Sequence, residues 1–302
     1  MRRTLLLCLC LFLGACRDDS AGVLDAAALD AGPADAASVD ADPARGAEVW
    51  VATWNLNNFP ADGTRVALVS GILNQIHPDV VSVEEIASET GFTDLVAAMP
   101  GYGGVLNDDP FAAQRVGLIW DESRVTVDHV QTLFVGQTSS FPRPPLRARV
   151  TVVAASATID LEVIVVHLKA QIDADSEARR RATCVALKAY IDGERAAGGE
   201  DFVVLGDWND DLTDPPASNV FTAFLDAPAD YSFLTLAAEE AGGISYLPYA
   251  RFIDHILVTS DTGPEVGGAQ AEPLRLDQAD PDFADTVSDH VPVLARLKPT
   301  PL

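Results

Sequence analysis

From Glu48 onward the chain is built of short apolar runs that stop at acids, amides or imidazoles, and this punctuation restricts the fold more than any other feature. "EVWVATWNL", "PDVVSVEEI", "RVGLIW", "RARVTVVA", "LEVIVVHL", "DFVVLGDWN", "FIDHILVTS" and "HVPVLARL" have the length and β-branched content of strands. Helical patterns stand between some of them. In "TRVALVSGILNQI", Val69, Ile72, Leu73 and Ile76 share one face, and a second helix is expected from an N-cap at Ser176 to about Glu194. The alternation is that of an α/β protein, with residues 48–298 as one catalytic domain. Strands buried on both faces read as continuous Val/Ile/Leu runs, and ligands collect beyond the carboxyl ends of such strands.

The endings therefore carry the chemistry. "TWNLNNF" supplies Asn55 and Asn57, "PDVVSVEEI" Glu84 and Glu85, and "VIVVHLKA" His167. "VVLGDWND" supplies Asp207 and Asn209, "FIDHILV" Asp254 and His255, and "VSDHVPV" Asp289 and His290. Any one of these reads equally as an Asx-rich turn. Six together do not. Residues two apart on a strand project the same way, so Asn55 with Asn57, and Asp207 with Asn209, can serve one site. On the same rule Glu84 points away from Glu85 if the strand stays regular. His77 and His129 lie in no such segment and are expected to be structural, with His255 secondary.

In order and content these segments resemble the endonuclease/exonuclease/phosphatase superfamily, which includes pancreatic-type deoxyribonuclease, abasic-site endonucleases and neutral sphingomyelinases. The resemblance implies a four-layer α/β sandwich, two facing mixed, mostly antiparallel β-sheets flanked by helices. It also implies a reaction, metal-dependent phosphodiester hydrolysis. By that resemblance Glu85 ligates Mg²⁺ (or Mn²⁺, with Ca²⁺ as a structural ion), and Asn55 and Asp289 complete or support the site. Asp207 orients and deprotonates the attacking water, with Asn209 beside it on a phosphate oxygen. His290, paired with Asp254, faces the phosphoryl group, and His167 adds a second donor to the charge that builds there.

The substrate is expected to be nucleic acid, DNA before RNA. In "FPRPPLRARV", Arg143 resembles the arginine that deoxyribonuclease-like members present to phosphate, and Asn57 and Tyr249 are further substrate contacts, with Tyr246 and Arg251 near the same groove. Two features depart from that pattern. Gln114 stands where relatives carry the acid that pairs with the first histidine, leaving the partner of His167 open, with Asp108 or Asp109 as substitutes. The formal net charge is −25, of which −22 falls on residues 48–302. Such acidity opposes the counterion-release term that dominates non-specific DNA binding and favours a cation partner. Alternatives are a phospholipid or small phosphate-ester phosphodiesterase, which acidity and a lipid anchor suit, and a catalytically inactive surface binding protein.

The first 16 residues, "MRRTLLLCLCLFLGAC", place two arginines before an apolar run too short to span a bilayer, and end in a segment that resembles a bacterial lipobox. A signal peptide over 1–16 is expected, with Cys16 as the lipidation site, so that the protein is exported and lipid-anchored to the cell envelope or its outer face. Residues 17–47, rich in Asp and Ala, read as a disordered linker. Cys184 remains alone in the folded part, as a buried small hydrophobe without a disulfide partner. A monomer is expected.

Overall fold

Two parallel strand pairs, each closed by a helical crossover, hold the centre of the structure. In the computed structural model, which describes residues 48–109, 113–154, 157–199, 201–262 and 269–298, β1 (Val49–Phe59) and β2 (Val80–Ile86) run parallel around α1 (Gly63–Ile76). The equivalent pair is β7 (Ala157–His167) and β8 (Phe202–Asp207), joined through α3 (Ala174–Ala196). Parallel neighbours need such a crossover. Around the first pair lie β3 (Tyr102–Leu106), β4 (Arg115–Asp121), β11 (Ala271–Pro273) and β12 (Val293–Leu297), in the order β11-β12-β1-β2-β4-β3. Around the second lie β5 (Val125–Thr132), β6 (Leu146–Ala154), β9 (Tyr231–Phe233) and β10 (Asp254–Thr259), in the order β5-β6-β7-β8-β10-β9.

Period-two alternation sorts the apolar side chains into three layers. Val51, Val80, Leu118, Leu146, Val163, Leu205 and Val293 meet between the two sheets. Their sequence neighbours Ala52, Val81, Ile119 and Leu294 face outward against α1 and α2 (Glu89–Ala97). On the other side Ile164, Val204 and Leu257 pack on Cys184, Leu187 and Ile191 of α3 and on Trp208, Phe221 and Phe224. The order helix, sheet, sheet, helix is the expected four-layer sandwich, with each sheet mixed and mostly antiparallel. Val69, Ile72, Leu73 and Ile76 of α1 all pack into the outer layer. Cys184 is buried, and burial raises its thiol pKa far above the ordinary range.

One expected boundary moves. Helix α3 starts before Ser176, because Asp173 is the better cap: its carboxylate accepts from the backbone N–H of Asp175 and of Ser176, each at 3.1 Å. Ser176 sits in the first turn and donates its hydroxyl to Asp173 at 2.7 Å. The signal peptide, Cys16 and the linker fall outside the described residues. Among the described residues no helix is long and apolar enough to cross a membrane.

Candidate active site

Both parallel pairs end on the same side, and their carboxyl termini open into one cleft of about 760 Å³. Asn57, Glu85, Asp207, Asn209, Asp289 and His290 line it. Asn55, His167 and Asp254 lie beneath them, at most 1 % exposed.

The backbone departs from regular strand where the first pair meets the cleft. Register slips between Asn55 and Phe59 of β1, and between Val83 and Ile86 where β2 pairs with β4. Asn57, Asn58 and Glu85 there take left-handed φ values of 46°, 51° and 58°. Bulges re-aim side chains at the ends of strands. The consequence is that Glu85 turns into the cleft and accepts the Asn58 N–H at 2.9 Å. Glu84 goes the other way, as alternation requires. It is fully buried, accepting from Ser82 Oγ at 2.8 Å and Thr53 Oγ1 at 3.2 Å. Burial pushes its pKa well above the carboxylate range, and the charges of Asp254 and Asp207 push it the same way.

Asp207 is the hub. Its Oδ2 accepts from Asn55 Nδ2 at 2.9 Å and lies 3.4 Å from His167 Nε2 and 4.0 Å from His290 Nε2. Its Oδ1 accepts the Asn209 N–H at 2.9 Å, and Asn209, itself at φ 59°, reaches the Leu168 carbonyl through Nδ2 at 3.2 Å. Burial, helped by the charge of Asp254 and opposed by His290, raises the Asp207 pKa to about 7. That value lies close to the optimum for a general base at neutral pH.

His290 sits on the other flank. Burial disfavours its charge, but Asp254, accepting from Nδ1 at 2.8 Å, outweighs that and lifts the imidazole pKa to about 10. It is therefore an imidazolium at neutral pH with Nε2–H free to donate. Its backbone is pinned as firmly: the His290 carbonyl accepts from Trp54 Nε1 at 2.9 Å, and its N–H donates to Ser288 Oγ at 3.1 Å. His167 is the opposite case. Burial, then the charges of Arg143 and His290, push its pKa well below the ordinary range, so it is neutral. Neither ring nitrogen makes a hydrogen bond among the described residues, and the carboxylates beside it are Asp207 and, at 3.8 Å, Glu85.

Gln114 bonds elsewhere. It accepts from Arg143 Nη2 and donates to Asn58 Oδ1 at 2.7 Å, tying the two sheets together at the cleft's edge. Arg143 also donates to the Leu168 carbonyl at 3.2 Å, which holds its guanidinium within the field of Asp207 and Glu85 and outside the cleft lining. Tyr246, Tyr249 and Arg251 do line the cleft. His255 is buried between the Asp210 carbonyl at 2.9 Å and Thr235 Oγ1 at 3.0 Å, away from it. His77 caps α1 in a left-handed conformation and His129 is exposed on β5, so neither joins the site.

Sequence reasoning missed several contributors. Arg180, fully buried, donates to Asp210 at 2.9 Å and to the Lys169 and Gln171 carbonyls, bracing the loop after β7. Asp211 and Asp214 add acid to the cleft wall, and Ile172 an apolar rim. The run "GDWNDD" signalled the acids. Nothing local marked Arg180 within "RRR" as the buried one.

The carboxylates of Glu85, Asp207 and Asp289 face the cleft together. Burial raises Asp289 as it raises Asp207, and Asp254 adds to both while His290 opposes it. Hard oxygen donors suit a hard divalent cation. The triplet Asp207, Asp254 and His290 has atoms within 4.8 Å of one another, but His290 Nδ1 is committed to Asp254.

The endonuclease/exonuclease/phosphatase family model matches residues 52–290. D. rerio TDP2 complexed with single strand DNA product has a TM-score of 0.63 at 17 % identity, covering 82 % of this chain and 98 % of that one. The human Nocturnin catalytic domain with bound sulfate anion gives 0.61 at 17 %, covering 84 % and 96 %. An endonuclease/exonuclease/phosphatase from Bacteroides vulgatus gives 0.61 at 20 %, covering 84 % and 99 %. At such identities the likeness is one of fold. No curated protein matches the chain. The family match spans Asn55, Glu85, His167, Asp207, Asp254 and His290, and the chain belongs to the endonuclease/exonuclease/phosphatase family.

Proposed function

We propose that this protein is a divalent-metal-dependent phosphodiesterase that cleaves nucleic acid, DNA in the first place, outside the cytoplasm. The observation that carries the reading is the pair of groups poised 4.0 Å apart across the cleft, a carboxylate with its pKa raised to about 7 and an imidazolium with its pKa near 10. Asp207, its orientation fixed by Asn55 and the Asn209 N–H, takes the proton of the attacking water. His290, held charged by Asp254, donates through Nε2 to a non-bridging phosphoryl oxygen as negative charge grows there. His167, neutral, offers one N–H to the same region, and the Asn209 amide stands beside Asp207. Glu85 and Asp289, with Asn55 in support, would hold Mg²⁺ or Mn²⁺, which supplies Lewis-acid polarisation of the phosphate. Asn57 and Tyr249 on the cleft lining are substrate contacts in this reading, and Arg143, behind the lining, acts on the phosphate through its charge.

Nucleic acid is supported by the DNA-bound TDP2 relative and by the Arg143 guanidinium near the reacting groups. One observation favours a second substrate class, small phosphate esters or phospholipid head groups: the cleft is rich in acid, which repels a polyanion. The deciding experiment incubates the protein with plasmid, linear DNA, RNA, sphingomyelin and bis-nitrophenyl phosphate, with and without chelator. Metal-dependent cleavage of nucleic acid is expected. Cleavage of lipid alone would reverse the order of the two readings, and no turnover of any ester would leave a binding protein. We further propose export and lipidation at Cys16, on the sequence of residues 1–16. Cys16→Ser is expected to move the protein from the membrane fraction to the soluble one, and its retention there would refute the anchor.

A further inference from the structure

Beyond the reacting groups, the cleft carries a line of rings that leads outward. Tyr246 lies 4.7 Å from His290 between ring centroids, and Tyr249 lies 5.9 Å from Tyr246, each pair tilted by 40°. Tyr249 is 76 % exposed, and Ile172, also lining this cleft, is 85 % exposed. Single exposed apolar side chains need no explanation, but Tyr249 and Ile172 both stand on the rim of one reactive cleft, where each offers an apolar surface to whatever enters.

The charges on the same wall restrict what can enter. Both arginines that line the cleft are already engaged. Arg180 is held by Asp210 at 2.9 Å, and Arg251 by Asp211 at 2.6 Å and Asp210 at 3.1 Å. Asp214 adds a further carboxylate, and Glu177 another that Arg181 pairs at 2.8 Å. A second phosphate in the outer cleft would meet no free guanidinium and several anions. A planar ring carrying N–H donors would meet a stacking face and acceptors.

We infer that the outer cleft is a subsite for one unpaired, amino-bearing nucleobase (adenine, cytosine or guanine), stacked on Tyr249 and attached to the scissile phosphate. The substrate is thereby single-stranded or frayed nucleic acid, not intact duplex, since a paired base has its face stacked on its neighbours and its Watson–Crick edge occupied. Affinity then comes from stacking more than from phosphate contacts, because the two arginines of this wall are already paired. The inference rests on the phosphodiesterase reading above and names the substrate class of that site.

The test measures binding separately from turnover. Full-length protein carrying Asp207→Asn is titrated in Mg²⁺ against fluorescein-labelled tetradeoxyadenylate, tetrathymidylate and a hairpin duplex, with anisotropy as readout. Tetradeoxyadenylate is expected to bind best. Adding Tyr249→Ala is expected to weaken it about tenfold, the size of one lost base–aromatic stack. Tyr249→Phe, which keeps the ring, is expected to preserve the affinity, and the duplex is expected to bind at least about tenfold more weakly. A Tyr249→Ala affinity within twofold of its parent overturns the inference, as does equal loss on duplex and single strand. So does tighter binding to phosphatidylcholine vesicles than to any oligonucleotide. Hydrolysis of bis-nitrophenyl phosphate by the unsubstituted protein reports on the phosphodiesterase reading alone. Turnover there without oligonucleotide binding rejects the base subsite and leaves the enzyme.

Discussion

Asp207 and His290 sit in one cleft with opposite environments, and the difference assigns their roles. Replacing Asp207 by Asn keeps the side-chain shape, gives up one of the two hydrogen bonds the carboxylate accepts and removes the base, so kcat is expected to fall about a thousandfold with the fold intact by circular dichroism. His290→Ala is expected to cost a similar factor. The pH dependence has a sign set by the same two groups. The proposed mechanism needs Asp207 without its proton and His290 with its own, so activity is expected to rise with pH up to about 7, as Asp207 ionises, and to fall as His290 loses its charge near 10. A bound cation favours ionised Asp207 and moves the acid limb lower. A flat profile from pH 5 to 10 would contradict the assignment. At this scale most of the site was legible, because strand endings such as "GDWN" and "SDH" put acids and imidazoles where a buried strand meets solvent. Glu84 and Arg180 were not legible. Their importance lies in burial, which depends on contacts made with residues distant in sequence.

Among the elements, β8 has the least freedom. Gly206 precedes Asp207 with φ +146°, and a Cβ there would stand 1.9 Å from the Val166 carbonyl oxygen of the parallel neighbour β7. Only glycine allows that approach. Gly206→Ala is expected to destabilise the protein by roughly 3 kcal/mol or more, read from urea unfolding, because the two strands that carry His167 and Asp207 must separate. A variant as stable as the parent would show that the strands can shift apart at no cost. Strand legibility followed position in the sheet. The eight apolar runs are all strands, and the four strands that pattern reading passed over, β3, β5, β9 and β11, are the edges of the two sheets. Edge strands meet solvent along one side and carry polar or glycine-rich sequences such as "VTVDHVQT" and "YGGVL". The crossover helices were easier to see, although Asp173 displaced Ser176 as the cap of α3.

For the whole molecule, charge and architecture act together. With a formal net charge of −25 and carboxylates in the cleft, the folded state gains from any cation that it binds and the unfolded chain does not. At a magnesium concentration a hundredfold above its Kd the gain is about 2.7 kcal/mol, seen as a rise in Tm that chelator reverses. Glu85→Ala is expected to abolish the rise while leaving the Tm in chelator near that of the parent. An equal rise in both proteins would place the ion elsewhere. The sandwich also divides its working parts: Asn55 belongs to one sheet and Asp207 to the other, joined at 2.9 Å, while His290 stands just before β12 of the first and Asp254 opens β10 of the second, joined at 2.8 Å. Gln114 and Arg143 make a third tie of this kind. Neither layer owns a complete set of tools. Hydrolysis is thus a gauge of how the halves are seated, and a slip of one sheet over the other by a single ångström is expected to silence the enzyme while its spectroscopic signature still reads as native.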